Sequence, residues 1–207
     1  MHYTFRAIAL TAATSLLGGC VSAINQTNAE RYYAIGLDAE AAGNFAGARE
    51  AFKRAFINAR SAGASPEYMS AVVYNLGRMY GYTCDYAGAE LLLKDALDSE
   101  RSLQHPTPGN ITKRLSELAR LTYDMQKYQD SVSYYDQAVP LLEELGMAED
   151  DPVGYGRYLE MFAAALAQSG DRPRAESMRA KATKLLSEHP SQRAQFTPVL
   201  YSEVCAK

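Results

Sequence analysis

Four stretches of the chain share one arrangement of small and large positions. They are GNFAGAREAFKRAF from Gly43, CDYAGAELLLKDAL from Cys84, QKYQDSVSYYDQAV from Gln126 and GDRPRAESMRAKAT from Gly170. In each, a turn leads to a small residue, a larger one four positions on, and alanine three after that. The triplets are Ala48-Phe52-Ala55, Ala89-Leu93-Ala96, Ser131-Tyr135-Ala138 and Ala175-Arg179-Ala182, with first members 41, 42 and 44 residues apart. An i, i+4, i+7 stripe is one face of a helix. A second stripe lies upstream of each triplet and is plainest in Val73-Leu76-Gly77-Tyr80. The pattern therefore predicts four helix pairs, each unable to bury its apolar face alone and so stacked on its neighbours. Pro66, Pro106, Pro152 and Pro190 fall between pairs, where proline suits a loop or a helix's first turn. Pro140, inside AVPLLEEL, is expected to kink the second helix of the third pair.

The first twenty residues break from this periodicity. MHYTFR is followed by AIALTAATSLLGG and then Cys20, a basic start, an apolar stretch and small residues, as in a secretory signal. The apolar stretch is about fifteen residues, short of the roughly 20 that a spanning helix needs. Leu17-Gly18-Gly19-Cys20 resembles the bacterial lipobox. The resemblance implies removal of residues 1–19, a diacylglycerol on the Cys20 thiol and an acylated new amino terminus, which together hold a protein stably on a bilayer. Val21, where an aspartate would favour the inner membrane, points by the same resemblance to an outer-membrane lipoprotein facing the periplasm. Two other readings use the same residues: ordinary cleavage after Ala23, which would discard Cys20, and a plain structural cysteine.

The stripe of a large apolar residue, Leu76-Gly77, Tyr80, then Ala89, Leu93 and Ala96 resembles the tetratricopeptide repeat. Gly77 and Ala89 stand where the two helices of a pair cross and only small side chains allow close approach. The resemblance implies an all-α fold, an α-solenoid of about four such repeats closed by a C-terminal capping helix. Its parts are a leader over 1–19, a lipidated cysteine and flexible tether over 20–28, repeats over about 29–65, 68–105, 110–150 and 153–190, and a capping segment over 191–207 with a break near Pro198. The period of 41–44 exceeds the usual 34 of the repeat and is similar to that of kinesin light chains, in architecture and not in role. The fourth repeat is the most polar, with Arg172 and Arg179 at usually apolar positions, as an end repeat should be.

Composition narrows the function. The chain has 21 basic and 24 acidic residues, and loss of residues 1–19 removes Arg6 and no acid, leaving 20 against 24, a net charge of −4. That balance offers no general attraction to nucleic acid. Cys84 and Cys205 remain after the anchor. A bond between them would need Cα atoms within about 7 Å, so the tail would have to fold back across the repeats; the sequence leaves the pairing open. No phosphate loop, nucleophile elbow or H-E-x-x-H occurs. His105 and His189 each precede a proline in a loop, with no second ligand at metal spacing. Neither an enzyme, a cofactor nor a metal is expected.

What remains is a groove. By resemblance, the first helix of each repeat lines a concave surface. The residues placed there are Tyr33, Leu37 and Glu40, then Tyr74, Arg78 and Tyr82, then Lys113, Arg120 and Tyr123, and last Arg157 and Glu160. Tyr74, Arg78 and Tyr82 share one face by spacing alone, and tyrosine and arginine are enriched among binding hot spots. The carboxylate-clamp pattern of chaperone-binding relatives is not met, since Tyr33, Leu37 and Glu117 do not fit it. The expected function is a membrane-anchored protein-interaction adaptor or assembly factor of the cell envelope, taking an extended or helical partner segment of acidic character. The alternative is an envelope sensor or carrier for a small ligand such as a peptidoglycan fragment.

Overall fold

A computed structural model of the chain describes residues 4–195 and 199–205, with side chains from residue 22 onward. Four helix pairs form the body: α1 (Thr4–Ala41) with α2 (Phe45–Ala62), α3 (Pro66–Tyr82) with α4 (Tyr86–Arg101), α5 (Pro108–Asp124) with α6 (Tyr128–Glu144), and α8 (Pro152–Ser169) with α9 (Arg172–Glu188). A short α7 (Met147–Asp150) fills the third inter-repeat loop, and α10 (Tyr201–Cys205) lies near the C-terminus. Each pair packs on the next in chain order. The result is the expected α-solenoid.

Local chemistry sets the helix starts. Pro66, Pro108 and Pro152 open α3, α5 and α8, each behind a capping side chain: Ser65, Thr107 and Asp151 accept from the backbone N–H of Tyr68, Asn110 and Gly154. Asn44, Asp85 and Asp171 cap α2, α4 and α9 in the same way. A capping side chain satisfies a donor that the helix itself leaves unpaired. The turn inside each pair carries one left-handed residue at the same repeat position: Gly43, Cys84, Gln126 and Gly170, with φ of 72°, 67°, 59° and 95°. Two of these four are not glycine, and Cys84 pays for its conformation with about 1–2 kcal/mol.

The small positions do what the stripe predicts. Ala48, Ala89, Ser131 and Ala175 are buried, and Phe52, Leu93 and Tyr135 insert between the helices of their pairs. On the facing helices stand Gly36, Gly77, Ala119 and Ala163, all buried and again 41, 42 and 44 residues apart. A Cβ on Gly77 would sit 3.0 Å from Leu93 Cγ and 3.1 Å from Leu92 Cβ, and one on Gly36 2.6 Å from the Phe52 ring. The Ala89→Leu variant should therefore push α3 and α4 apart and lose about 1–3 kcal/mol. Chemical denaturation measures this; an unchanged midpoint would refute the register. Arg179, the odd member of the fourth triplet, is exposed on the last helix.

Some expectations need correcting. Val21–Asn28, read as a flexible tether, lie within α1. The Ser22 hydroxyl donates to the Ala62 carbonyl at the end of α2, and Ala29 is fully buried. Helix α6 runs through Pro140, where a kink is expected, to Glu144, so the proline does not end it. The terminal helix exists as α10, but what it covers is the concave side of α3 and α5. Met1–Tyr3 of the leader lie outside the described residues, as does the Cys20 side chain. Among the described residues no helix is long and apolar enough to cross a membrane.

Candidate functional site

The concave face is built from α1, α3, α5 and α8, and at its centre lies Glu117 of α5, 4% exposed. One carboxylate oxygen accepts from Arg78 Nε at 3.2 Å; the other meets Arg120 Nη2 at 2.5 Å and accepts from the Tyr201 hydroxyl at 2.5 Å. Arg78 also pairs with Glu40 of α1 at 2.6 Å and donates to Asn75 Oδ1 at 3.4 Å. The Asn75 amide in turn donates to the Tyr33 hydroxyl at 2.8 Å. A continuous polar chain thus crosses the first three repeats and ends on the C-terminal segment. Burial alone would raise the Glu117 pKa, but Arg120 and Arg78 outweigh it and hold the carboxyl below its usual range. Burial would likewise lower the Arg120 pKa, and Glu117 reverses this and raises it. Burial drives the Tyr201 phenol well above its usual value, with the neighbouring Glu117 carboxylate adding to the shift.

Residues 199–205 occupy the groove. Arg120 Nη1 donates to the Val199 carbonyl at 2.8 Å, while Asp124 accepts from the Ser202 backbone N–H at 3.1 Å and from its hydroxyl at 2.8 Å. The Tyr201 ring is fully buried, 4.6 Å from the Tyr82 ring, which stacks on Phe45. The Cys84–Cys205 disulfide closes the segment onto the end of α3, with the Cα atoms 5.6 Å apart. The pairing that the sequence left open is made, because the tail does fold back.

The expected groove residues divide accordingly. Tyr33, Tyr74, Arg78, Tyr82 and Arg120 come together in the polar chain and its aromatic walls, Tyr74 lying between the guanidinium groups of Arg78 and Arg114. Leu37 is exposed, Tyr123 rests edge-on against Tyr128, and Lys113 and Arg157 are exposed farther along the face. The open basic surface expected for an acidic segment is corrected: Arg78 and Arg120 are neutralised by Glu40 and Glu117, and Arg120 is only 2% exposed.

Sequence reasoning missed four buried polar residues. Glu117 and Tyr201 were not placed in the groove, and the buried pair Arg114–Glu100, 3.0 Å apart, was not foreseen. Glu100 also accepts from the Ser70 hydroxyl, the Thr107 N–H and the Asn110 amide, while Arg114 donates to the Ala96 carbonyl. A signal existed. Glu100 follows Leu93, Ala96 and Leu97 in one apolar stripe, and Arg114 and Glu117 stand among Ile111, Leu115, Leu118 and Leu121. Charges inside such a stripe must be paired when buried.

A cavity of about 310 Å³ opens between α5 and α8 and adjoins the polar chain, sharing Tyr74, Glu117 and Arg120 with it; Leu142, Leu145, Met147, Tyr155 and Tyr158 supply its apolar walls, and Lys113 is also in its lining. Among the described residues no cluster of histidine, cysteine or carboxylate groups could hold a metal.

No family model and no curated protein matches the sequence. Solved structures share the fold. BtubC (BKLC) of P. vanneervenii superposes with a TM-score of 0.71 at 15% identity, over 83% of this chain and 68% of that one. A putative kinesin light chain of Podosopora anserina with TPR-like repeats gives 0.61 at 16% identity, over 79% and 77%. The chain has a TPR-like fold. At these identities the likeness extends to architecture and no further.

Proposed function

We propose that the protein is a lipid-anchored adaptor or assembly factor of the bacterial envelope, facing the periplasm from the outer membrane, that holds a polypeptide segment of its partner against the concave face. The supporting observation is the tail. A stretch of polypeptide already lies there, bound through its main chain at Val199 and Ser202 and through one deeply seated side chain. A surface that accepts both main-chain groups and an aromatic anchor is suited to peptide recognition. The TPR-like fold agrees with a scaffold role rather than an enzymatic one. The lipobox supports the anchor, and a paired cysteine set in the remaining chain agrees with an oxidising compartment.

Crosslinked capture from membranes tests the reading, comparing the intact protein with Cys20→Ser. The intact protein should partition into detergent, carry acyl mass on Cys20 and bring down one protein in stoichiometric amount. The Cys20→Ser form should be soluble or retain its leader. A soluble mature chain beginning at Ile24 would overturn the anchor.

The cavity beside α8 favours a second reading, a carrier for a small ligand. Its lining is largely apolar with Lys113 among its polar groups, which suits an apolar body bearing an anionic group. A carrier would bring down no protein and would gain melting temperature with its ligand.

A further inference from the structure

The concave face contains a recess shaped to a tyrosine ring. Gly81 belongs to helix α3, whose conformation there any residue could adopt, so nothing in the backbone requires glycine. What requires it is Tyr201: a Cβ on Gly81 would lie 2.5 Å from Tyr201 Cε1 and 2.7 Å from Cδ1. The vacancy that the missing side chain leaves on the last turn of α3 is filled by the tail. The recess is equipped on every side. Tyr82 packs against the ring at a tilt of 47° and Tyr86 meets it edge-on, Glu117 takes the hydroxyl, and Arg120 and Asp124 take the main chain before and after it. Beside it stands Cys84, left-handed where Gly43 and Gly170 occupy the equivalent turns. A cysteine holds this unfavourable position, and its sulfur is the one that fastens the tail.

We propose that this recess is the partner-binding site, that it recognises a tyrosine-bearing segment with the tail's chemistry, and that residues 199–205 occupy it in cis while the Cys84–Cys205 disulfide is closed. The proposal rests on the adaptor reading and names the partner's chemistry. The required features are a carbonyl two residues before the tyrosine and an N–H and hydroxyl immediately after it. An acidic segment does not fit, because the arginines are already neutralised and Glu117 would repel it. Opening needs a dithiol reductant. One of its thiolates attacks a sulfur of the bridge and expels the other as a thiolate; its second thiol then resolves the mixed disulfide. Two electrons and two protons pass to Cys84 and Cys205, and the reductant leaves oxidised. With the bridge closed the tail is held at high effective concentration, so a partner in trans competes poorly.

The test uses a fluorescent peptide of residues 199–205 carrying Cys205→Ser, titrated against the full chain. Oxidised wild type should not bind it. The Tyr201→Ala, Cys205→Ser double variant, with the recess vacated, should bind, and wild type treated with a dithiol should bind more weakly because its own tail still competes. A peptide with Tyr201→Phe should bind at least about tenfold more weakly, since its ring cannot donate to the buried carboxylate. Adding Gly81→Val to the double variant should abolish binding. Equal binding by oxidised wild type, or none by a double variant that retains its helicity, overturns the proposal.

Should the double variant lose helicity, Gly81→Ala in the otherwise intact chain decides. Its bridge should be reduced at least about tenfold faster, because the ring no longer seats; an unchanged rate overturns the proposal. A dimer of reduced wild type that the double variant cannot form would assign the recess to a second copy's tail instead. Failure of the peptide with continued stoichiometric capture from membranes defeats this inference and leaves the adaptor standing. Peptide binding without any captured protein does the reverse.

Discussion

The Glu117→Ala variant should unfold far more readily than wild type, losing about 3–5 kcal/mol, the usual cost of removing one partner from a buried ion pair. The carboxylate is the common acceptor for Arg78, Arg120 and Tyr201. Without it Arg120 stays buried with no opposing charge, and Arg78 keeps only Glu40. Reversing the arginines should be as severe: Arg120→Glu would place two carboxylates 2% and 4% exposed against each other. Urea denaturation, with helicity as the readout, measures both. The pH dependence follows from the depressed Glu117 pKa. The stabilisation is fully present above the unfolded glutamate pKa of about 4.3, and it is lost as pH falls through the lower value that the folded protein imposes. Acid titration of wild type should therefore show a loss of stability below about pH 4 that the Glu117→Ala variant lacks. A variant that melts with the parent would show that the polar chain contributes nothing to the solenoid.

That result also measures how far the groove could be read in advance. The repeat was legible because it is local: a small residue, a large one and an alanine on one helix face recur four times, and Gly77 and Ala89 lie where that spacing puts them. Placement of Tyr74, Arg78 and Tyr82 on one face followed from helical geometry as well. Their environment did not, because it depends on partners 37 (Phe45 to Tyr82) to 119 (Tyr82 to Tyr201) residues away in sequence. Arg78 reads as a solvated charge until Glu117 is set beside it across two helices, separated by 39 residues. Tyr201 reads as the end of a tail until it is found on Glu117, 84 residues earlier in the chain. Loop closure of that kind leaves no periodic trace. The cysteines left the clearest one: Cys84 replaces the glycine expected at a left-handed turn, and a second cysteine stands near the chain's end.

Breaking that bridge should have the other large effect. The disulfide spans 121 residues, from the second repeat to the last helix. In the chain-entropy picture a cross-link stabilises by restricting the unfolded chain, and a loop of this length corresponds to about 4–5 kcal/mol. Cys84→Ser should approach that loss, offset by nothing from the turn, since serine is no better suited than cysteine to positive φ. Cys84→Gly should lose less, recovering about 1–2 kcal/mol by relieving the left-handed residue. The two variants thus separate the bridge from the strain. Their difference should persist when both are compared with wild type under a dithiol, whereas the large loss common to both should vanish, because reduced wild type has lost the bridge too. Equal midpoints for all three under oxidising conditions would mean that the unfolded chain gains nothing from the cross-link, and that Cys84–Cys205 acts on the tail's position alone.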